Sequence, residues 1–334
     1  MNTIFKIILI LFFGLTAVSS LDAQGNLGQS GLNFLQIGVD PRGTAFGGGG
    51  IALTSKAYSL YWNPAGAIYT ENLDICFSYT DWFLDTRLAF GGITKRLGNL
   101  GVVGFSVTSL YMDDMEITTV YESEGTGQFF SAGDISLGLS FAKSLTDRFS
   151  FGITAKYVRE DIWNETADQI AFDIGSLYKT DFYNLRIGMA IRNVSGKLRF
   201  SGSDIDKRLE EELSQNISEN PRAERLAPEF RLPQIFQLGI AFDPFTTENS
   251  RFTLLADVDT PNDNTERVIF AAEYAFHNLA FLRGGYRMNY DIGDFSLGAG
   301  LNLTVSGVNS MFDYSFSTQG VMGDVHRLGI GFSL

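Results

Sequence analysis

The chain of 334 residues carries a net charge of −13, with 45% hydrophobic residues, 13% aromatics, 36 glycines and one cysteine. Charged residues make up 19%, below the usual ~25%, which argues against intrinsic disorder. A lone cysteine excludes an intramolecular disulfide framework and any multi-cysteine metal site, and the acidic balance excludes the basic stripe of a nucleic-acid binder.

Residues 1–23 read as a secretory signal peptide. Lys6 supplies the positive start, and Ile7 to Val18 form an apolar run too short to span a membrane, which takes ~20 residues. Cleavage after Ala23 or after Ser20 fits. No cysteine lies near either position, which excludes a lipoprotein anchor; an uncleaved N-terminal anchor is the alternative. No later helical span follows, so an exported membrane protein of this sequence has to be a β-barrel.

Residues 24–70 do not alternate like strands. The run Gly47 to Gly50 invites a phosphate-loop reading, but no Gly-Lys-Ser/Thr follows it. Glycines that let the backbone pass through a confined space explain it better. Asn63-Pro64 is a helix-stop or helix-start signal inside a compact segment. This stretch is expected to form an N-terminal hatch, or plug.

From Leu73 onward the period is two. Ile135, Leu137, Leu139 and Phe141 share one face while Ser136, Gly138 and Ser140 take the other. The pattern returns at Leu185 to Ile191, Phe236 to Phe242, Phe295 to Leu303 and Leu328 to Leu334. Strict alternation over many segments means strands with one apolar face. Fourteen are expected, over 73–83, 86–96, 100–112, 133–143, 148–160, 168–179, 184–193, 232–243, 251–259, 265–275, 279–289, 294–304, 310–317 and 325–334. A soluble β-sandwich puts the apolar face inside and uses strands of ~5–6 residues. A transmembrane barrel puts it outside and needs ~9–11 residues, which these segments supply. Aromatics near segment ends (Tyr79, Trp82, Phe83, Tyr111, Trp163, Tyr178, Tyr286, Tyr290) suit interfacial girdles. The fold expected for 71–334 is therefore an all-β, transmembrane antiparallel barrel in contact with outer-membrane lipid; a soluble periplasmic β-protein is the other class.

Loop lengths support the count. With the first strand running outward, the inner turns are short: Gly98-Asn99, Thr146-Asp147, Thr180 to Tyr183, Pro244 to Ser250, His277-Asn278 and Val305 to Asn309. Both long connections, 113–132 and 194–231, then fall outside. Within the second, Ile205, Leu209, Leu213 and Ile217 recur every four residues before Asn220-Pro221, as in a short amphipathic helix. It is either a docking helix at the mouth or a loop packing its stripe on the rim. The first long loop carries Asp113, Asp114, Glu116, Glu122 and Glu124 with no Lys or Arg over 113–130. It reads as a solvated loop, or else as a site for divalent cations or a basic partner.

Catalytic and metal constellations are sparse. His277 and His326 are the only histidines and fall at an inner turn and near the start of the last strand, which leaves little for a triad. Cys76 shares the polar face of the first strand with Asp74 and Ser78. The Asp257 to Asp263 stretch looks superficially like a calcium loop, but Pro261 and a missing glycine spoil it, and a solvated external turn is expected. No enzyme activity, cofactor or metal is expected. Arg186, Arg192, Asp173, Lys179, Asp243 and Glu273 fall on polar faces, where they are candidates to pair with each other or with Arg42.

Ile37, Gly38, Arg42, Gly47 and Gly48, followed by Tyr61, Trp62, Asn63, Pro64, Ala65 and Gly66, resemble the N-terminal motif of the PorV/PorQ family of outer-membrane proteins, which belongs with FadL-type transporters. Asp40-Pro41 and Phe46 depart from the family's usual residues. The resemblance implies a FadL-like fourteen-stranded barrel with an N-terminal hatch. For function it implies a component or cargo receptor in type IX secretion, meeting secreted cargo proteins or secretion-machinery subunits. The alternative it implies is FadL-type passage of hydrophobic small molecules.

Overall fold

Each strand of this protein pairs antiparallel with its neighbours in sequence, and the first closes on the last. The computed structural model describes residues 30–203, 205, 229–289, 293–305 and 307–334. The expected signal peptide, Leu209, Leu213, Ile217 and Tyr290 lie outside the described residues. The barrel strands are β1 (Leu73–Asp81), β2 (Thr86–Arg96), β3 (Val102–Met112), β4 (Ala132–Ser144), β5 (Phe149–Ile162), β6 (Glu165–Lys179) and β7 (Arg186–Ser195). They continue as β8 (Ile235–Thr246), β9 (Ser250–Pro261), β10 (Arg267–Phe276), β11 (Ala280–Met288), β12 (Phe295–Val305), β13 (Val308–Thr318) and β14 (Asp324–Ser333). Strand β1 pairs with β2 on one side and β14 on the other, from Asp74 opposite Ser333 to Asp81 opposite His326, so no edge is left open.

The two faces of the strands are inverted relative to a water-soluble protein. Leu139 is 66% exposed and Leu282 64%, whereas Asp173 and Glu273 are each 1% exposed. An apolar band facing outward around a polar, charged lumen is stable only where hydrocarbon replaces water. That inversion excludes the soluble sandwich.

Turn chemistry agrees with the strand order. His277 and Asn278 both take positive φ (52° and 51°), and Leu279 N–H closes the turn on Phe276 O at 2.9 Å. This is the handedness that matches strand twist. Two expected turns are corrected. Strand β8 runs past Pro244 to Thr246 over a register shift between Phe242 and Phe245. A bulge accommodates a proline that has no N–H for the ladder. Strand β9 runs to Pro261, so Asp257 and Asp259 are buried in the lumen rather than on an external turn.

Strands β4 to β6 are the longest, at 13, 14 and 15 residues, and extend at the long-loop end. The β5–β6 hairpin extends far enough for Thr166 and Glu165 to pair with Ser201 and Gly202. In the 113–131 loop, Met115 and Glu116 pair with Phe130 and Phe129, which leaves Val120 and Tyr121 exposed beyond them.

The lipid band has a depth-dependent consequence. Leu139→Arg, near the middle of β4, is expected to lower the unfolding free energy by about 2–4 kcal/mol, while Ile162→Arg at the outer end of β5 costs about 0–1 kcal/mol. Urea unfolding in lipid vesicles measures both.

Candidate functional site

The lumen is filled from within the same chain. Residues 30–70 start at the long-loop end, where Gln36 Nε2 donates to Asp263 at 2.9 Å and Leu32 N–H donates to Glu160 at 3.2 Å. They reach the short-turn end, where Lys56 Nζ donates to Ser333 Oγ at 2.7 Å and Arg96 Nε donates to Thr70 O at 2.7 Å. Phe46, Ile51, Leu60 and Trp62 along this path are buried.

Short capped turns build the segment. Asp40 caps α1 (Pro41–Ala45) by accepting from Gly43 N–H at 2.9 Å, with Pro41 at the first helical position. Asn63 caps the 3₁₀ turn Pro64–Tyr69 in the same way, accepting from Ala65 N–H at 3.1 Å. Its amide donates to Ile51 O at 3.3 Å and to Ser176 O of β6 at 3.0 Å, so one side chain joins two parts of the segment to the wall.

Trp62 ties the descending and returning halves together. Its indole N–H donates to the Asp40 carboxylate, and its ring lies where a side chain on Gly43 would have to go. Burial raises the Asp40 carboxyl above its ordinary range, against the bonds from Gly43 and Trp62. From the wall, Arg192 lies over Tyr61 at 4.7 Å and Trp62 at 5.2 Å and donates to Tyr61 O at 3.4 Å. Arg192 thus meets ring faces, and among the described residues no carboxylate lies within ion-pair distance of it.

Gly47 and Gly48 take φ of 75° and 86°, a region side chains avoid. The chain then turns so that Gly50 N–H and Ile51 N–H both donate to Asp257 Oδ2, at 2.5 and 2.9 Å. The wall answers with its own glycines. A Cβ on Gly175 would stand 2.0 Å from Asn63 Oδ1, and one on Gly152 2.4 Å from the Pro64 carbonyl carbon.

The lumenal charges form separate groups. Arg42 donates to Glu273 through Nε and an Nη, both at 3.2 Å. Glu273 also accepts from Arg283 at 2.8 Å and from Arg251 at 3.3 Å, and Arg283 reaches Asp313 at 2.5 Å. Asp173 pairs with Lys156 at 2.8 Å and Asp243 with Arg186 at 2.5 Å. Lys179 is exposed at the inner rim.

The remaining candidates do not assemble into a catalytic group. His277 sits in an inner turn, whereas His326 lies toward the outer end of β14, its Nδ1 2.7 Å from Tyr314 Oη. Cys76 is buried with a free thiol. Among the described residues, no three His, Cys, Asp or Glu side chains are grouped to hold a metal ion. In the acidic loop, hydrogen bonds from Arg87 hold the Asp113 carboxyl below its usual range. Ile205 is the one member of its apolar stripe among the described residues, and its N–H donates to Glu165 at 3.3 Å.

Sequence reasoning missed Asp257, Asp313, Arg251 and Arg283. The signal for Asp257 is alternation: Phe252, Leu254, Ala256 and Val258 face out, so Asp257 and Asp259 have to face in.

Residues 21–262 match the family model described as Type IX secretion system protein PorV. The chain belongs to the PorV family. Its fold is similar to the Ralstonia pickettii toluene transporter TbuX, at 13% identity over 88% of this chain and 97% of that one, with a TM-score of 0.55. The Pseudomonas putida toluene transporter TodX is also similar, at 13% identity over 88% and 96%, with a TM-score of 0.54. No curated protein matches the chain. This PorV-family protein is a FadL-like fourteen-stranded barrel of the outer membrane of a Gram-negative-type bacterium.

Among the described residues, Glu273 is the one wall side chain that pairs with the Arg42 guanidinium, and it is one of two carboxylates on Arg283. Glu273→Ala leaves the half-buried Arg42 without its carboxylate and the buried Arg283 with Asp313 alone, and is expected to destabilise the barrel by about 3 kcal/mol. A lower temperature for loss of the compact band on unheated-versus-heated gels reads it.

Proposed function

We propose that this PorV-family barrel is a non-catalytic component of protein export at the outer membrane, receiving a secreted polypeptide or a machinery subunit at its outer mouth. Residues 30–70 act as a fixed plug that keeps the lumen from leaking, and the 113–131 and 196–234 connections supply the contact surface. The observation that carries this reading beyond family membership is the ion cluster of Arg42, Glu273, Arg283 and Asp313. It lies on one side of the lumen, where β10, β11 and β13 face α1, so an apolar solute passing there would meet buried charge instead of an apolar path. That disfavours the second reading, uptake of hydrophobic small molecules, which the fold shared with toluene transporters otherwise suggests.

Native mass spectrometry of gently extracted protein separates the two: a bound polypeptide is expected, and bound fatty acid or another hydrophobic small molecule would favour uptake. The plug has its own test. Arg42→Ala removes its ion pair to the wall while Arg283 and Arg251 still neutralise Glu273, so ion conductance in planar bilayers is expected to rise. Unchanged conductance would argue against Arg42 as a pin.

A further inference from the structure

The inner end of the lumen gathers positive charge in an otherwise acidic protein. A cavity of about 270 Å³ there is lined by Arg42, Lys56, Lys179, Arg186 and Arg251, and among the described residues no carboxylate lines it. The topology makes this convergence. Lys179 ends β6, Arg186 begins β7 and Arg251 lies at the start of β9, all at short turns; Lys56 comes from the plug, and Arg42 closes the cavity from above. Tyr69, also lining it, and Lys179 are exposed, so the cavity is reached from the short-turn side, which in bacterial barrels faces the periplasm.

Among the described residues, three carboxylates balance these five cations. Asp243 takes Arg186 at 2.5 Å, Glu273 is shared by Arg42 at 3.2 Å and Arg251 at 3.3 Å, and Asp74 lies 4.0 Å from Lys56. The neighbouring Arg283 is matched by Asp313 and changes nothing in the count. Two positive charges are left over. Donor capacity is left over too, because the Nε atoms of Arg186 and Arg251 are buried with no hydrogen-bond partner. Buried donors and concentrated like charge are both costly unless an anion completes them.

We propose that this cavity is a phosphate-binding site open to the periplasm. A phosphate dianion cancels two excess charges where a single carboxylate cancels one, and its oxygens accept from guanidinium and ammonium groups together. The same chemistry can arrive as free phosphate or as the phosphomonoester headgroup of a lipid such as phosphatidic acid. The inference rests on the inner-end geometry and is independent of the role at the outer mouth.

The test uses the full chain purified in a non-ionic detergent, titrated with inorganic phosphate and, separately, with a soluble short-chain phosphatidic acid, by calorimetry. Lys179→Gln and Lys56→Gln alter partly or fully exposed side chains, and heat-modifiable gel mobility checks that each variant still folds. Millimolar or tighter binding is expected for at least one of the two ligands, weakened about tenfold by each substitution, since each removes a charge-assisted hydrogen bond. Binding of phosphatidic acid alone assigns the site to a headgroup; binding of inorganic phosphate assigns it to the free ion. Failure of both ligands to bind overturns the proposal, as does equal affinity in wild type and both variants. A tetraglutamate peptide that binds and is not displaced by phosphate overturns it in favour of peptide carboxylates.

Discussion

Glu273 sits almost wholly out of water with Arg42, Arg251 and Arg283 around it, and this shared carboxylate joins the barrel wall to the chain inside. Arg42 belongs to the N-terminal segment, whereas the other three residues come from β9, β10 and β11. The coupling is therefore between two parts that, among the described residues, share no backbone hydrogen bond at this level. Surrounded by hydrocarbon outside and packed chain within, such a group is weakly screened, so each member depends on the rest being present. That dependence fixes the height of α1 in the lumen, and with it the positions of Gly47 to Ile51 that follow.

Close packing then takes over where charge leaves off. Gly175 and Gly152 let Asn63 and Pro64 approach the backbone of β6 and β5, while Gly285 leaves room for Phe46 and Gly47 against β11. Glycine in a strand weakens it by itself. In this barrel the loss is offset because the space is filled by another part of the chain, which brings its own hydrogen bonds. Asp257 shows the two principles working together: its carboxylate caps two successive N–H groups at the place where positive φ at Gly50 aims them outward. The many glycines of the composition thus have two separate uses, turning the inner segment and thinning the wall beside it.

The barrel was legible in the sequence because lipid imposes one rule on every strand. Alternation at Ile135 to Phe141 or at Leu328 to Leu334 records which side each residue faces, and the strand count follows from segment lengths near the bilayer's thickness. The errors lie where a second rule competes. Pro244 looked like a turn because proline cannot donate, yet a bulge lets β8 continue past it. Asp257 and Asp259 looked like a loop because acids and a nearby proline cluster there, yet the period carries on through Val258. The lumenal pairs were only partly legible. Facing could be read for Arg186, Asp243 and Glu273, but partners across the lumen are set by barrel curvature and by where the inner segment lies. Arg192 illustrates the gap, since nothing local tells that its face meets Tyr61 and Trp62.

The net charge of −13 conceals a polar arrangement along the barrel axis. Asp113, Asp114, Glu116, Glu122 and Glu124 stand on the connection between β3 and β4 at the long-loop end, with Asp134 and Glu160 just below. At the opposite end Lys56, Lys179, Arg186 and Arg251 converge in one cavity. Between the two lies the neutralised layer of Glu273, Arg283 and Asp313. The acidic outer connection and the basic inner cavity thus place opposite local charge at the two ends of the barrel. Because exposed charges are screened within ~8 Å at physiological salt, the two ends act on their surroundings independently. The acidic excess therefore says little about what the inner end attracts, and the two mouths are separate surfaces with opposite preferences.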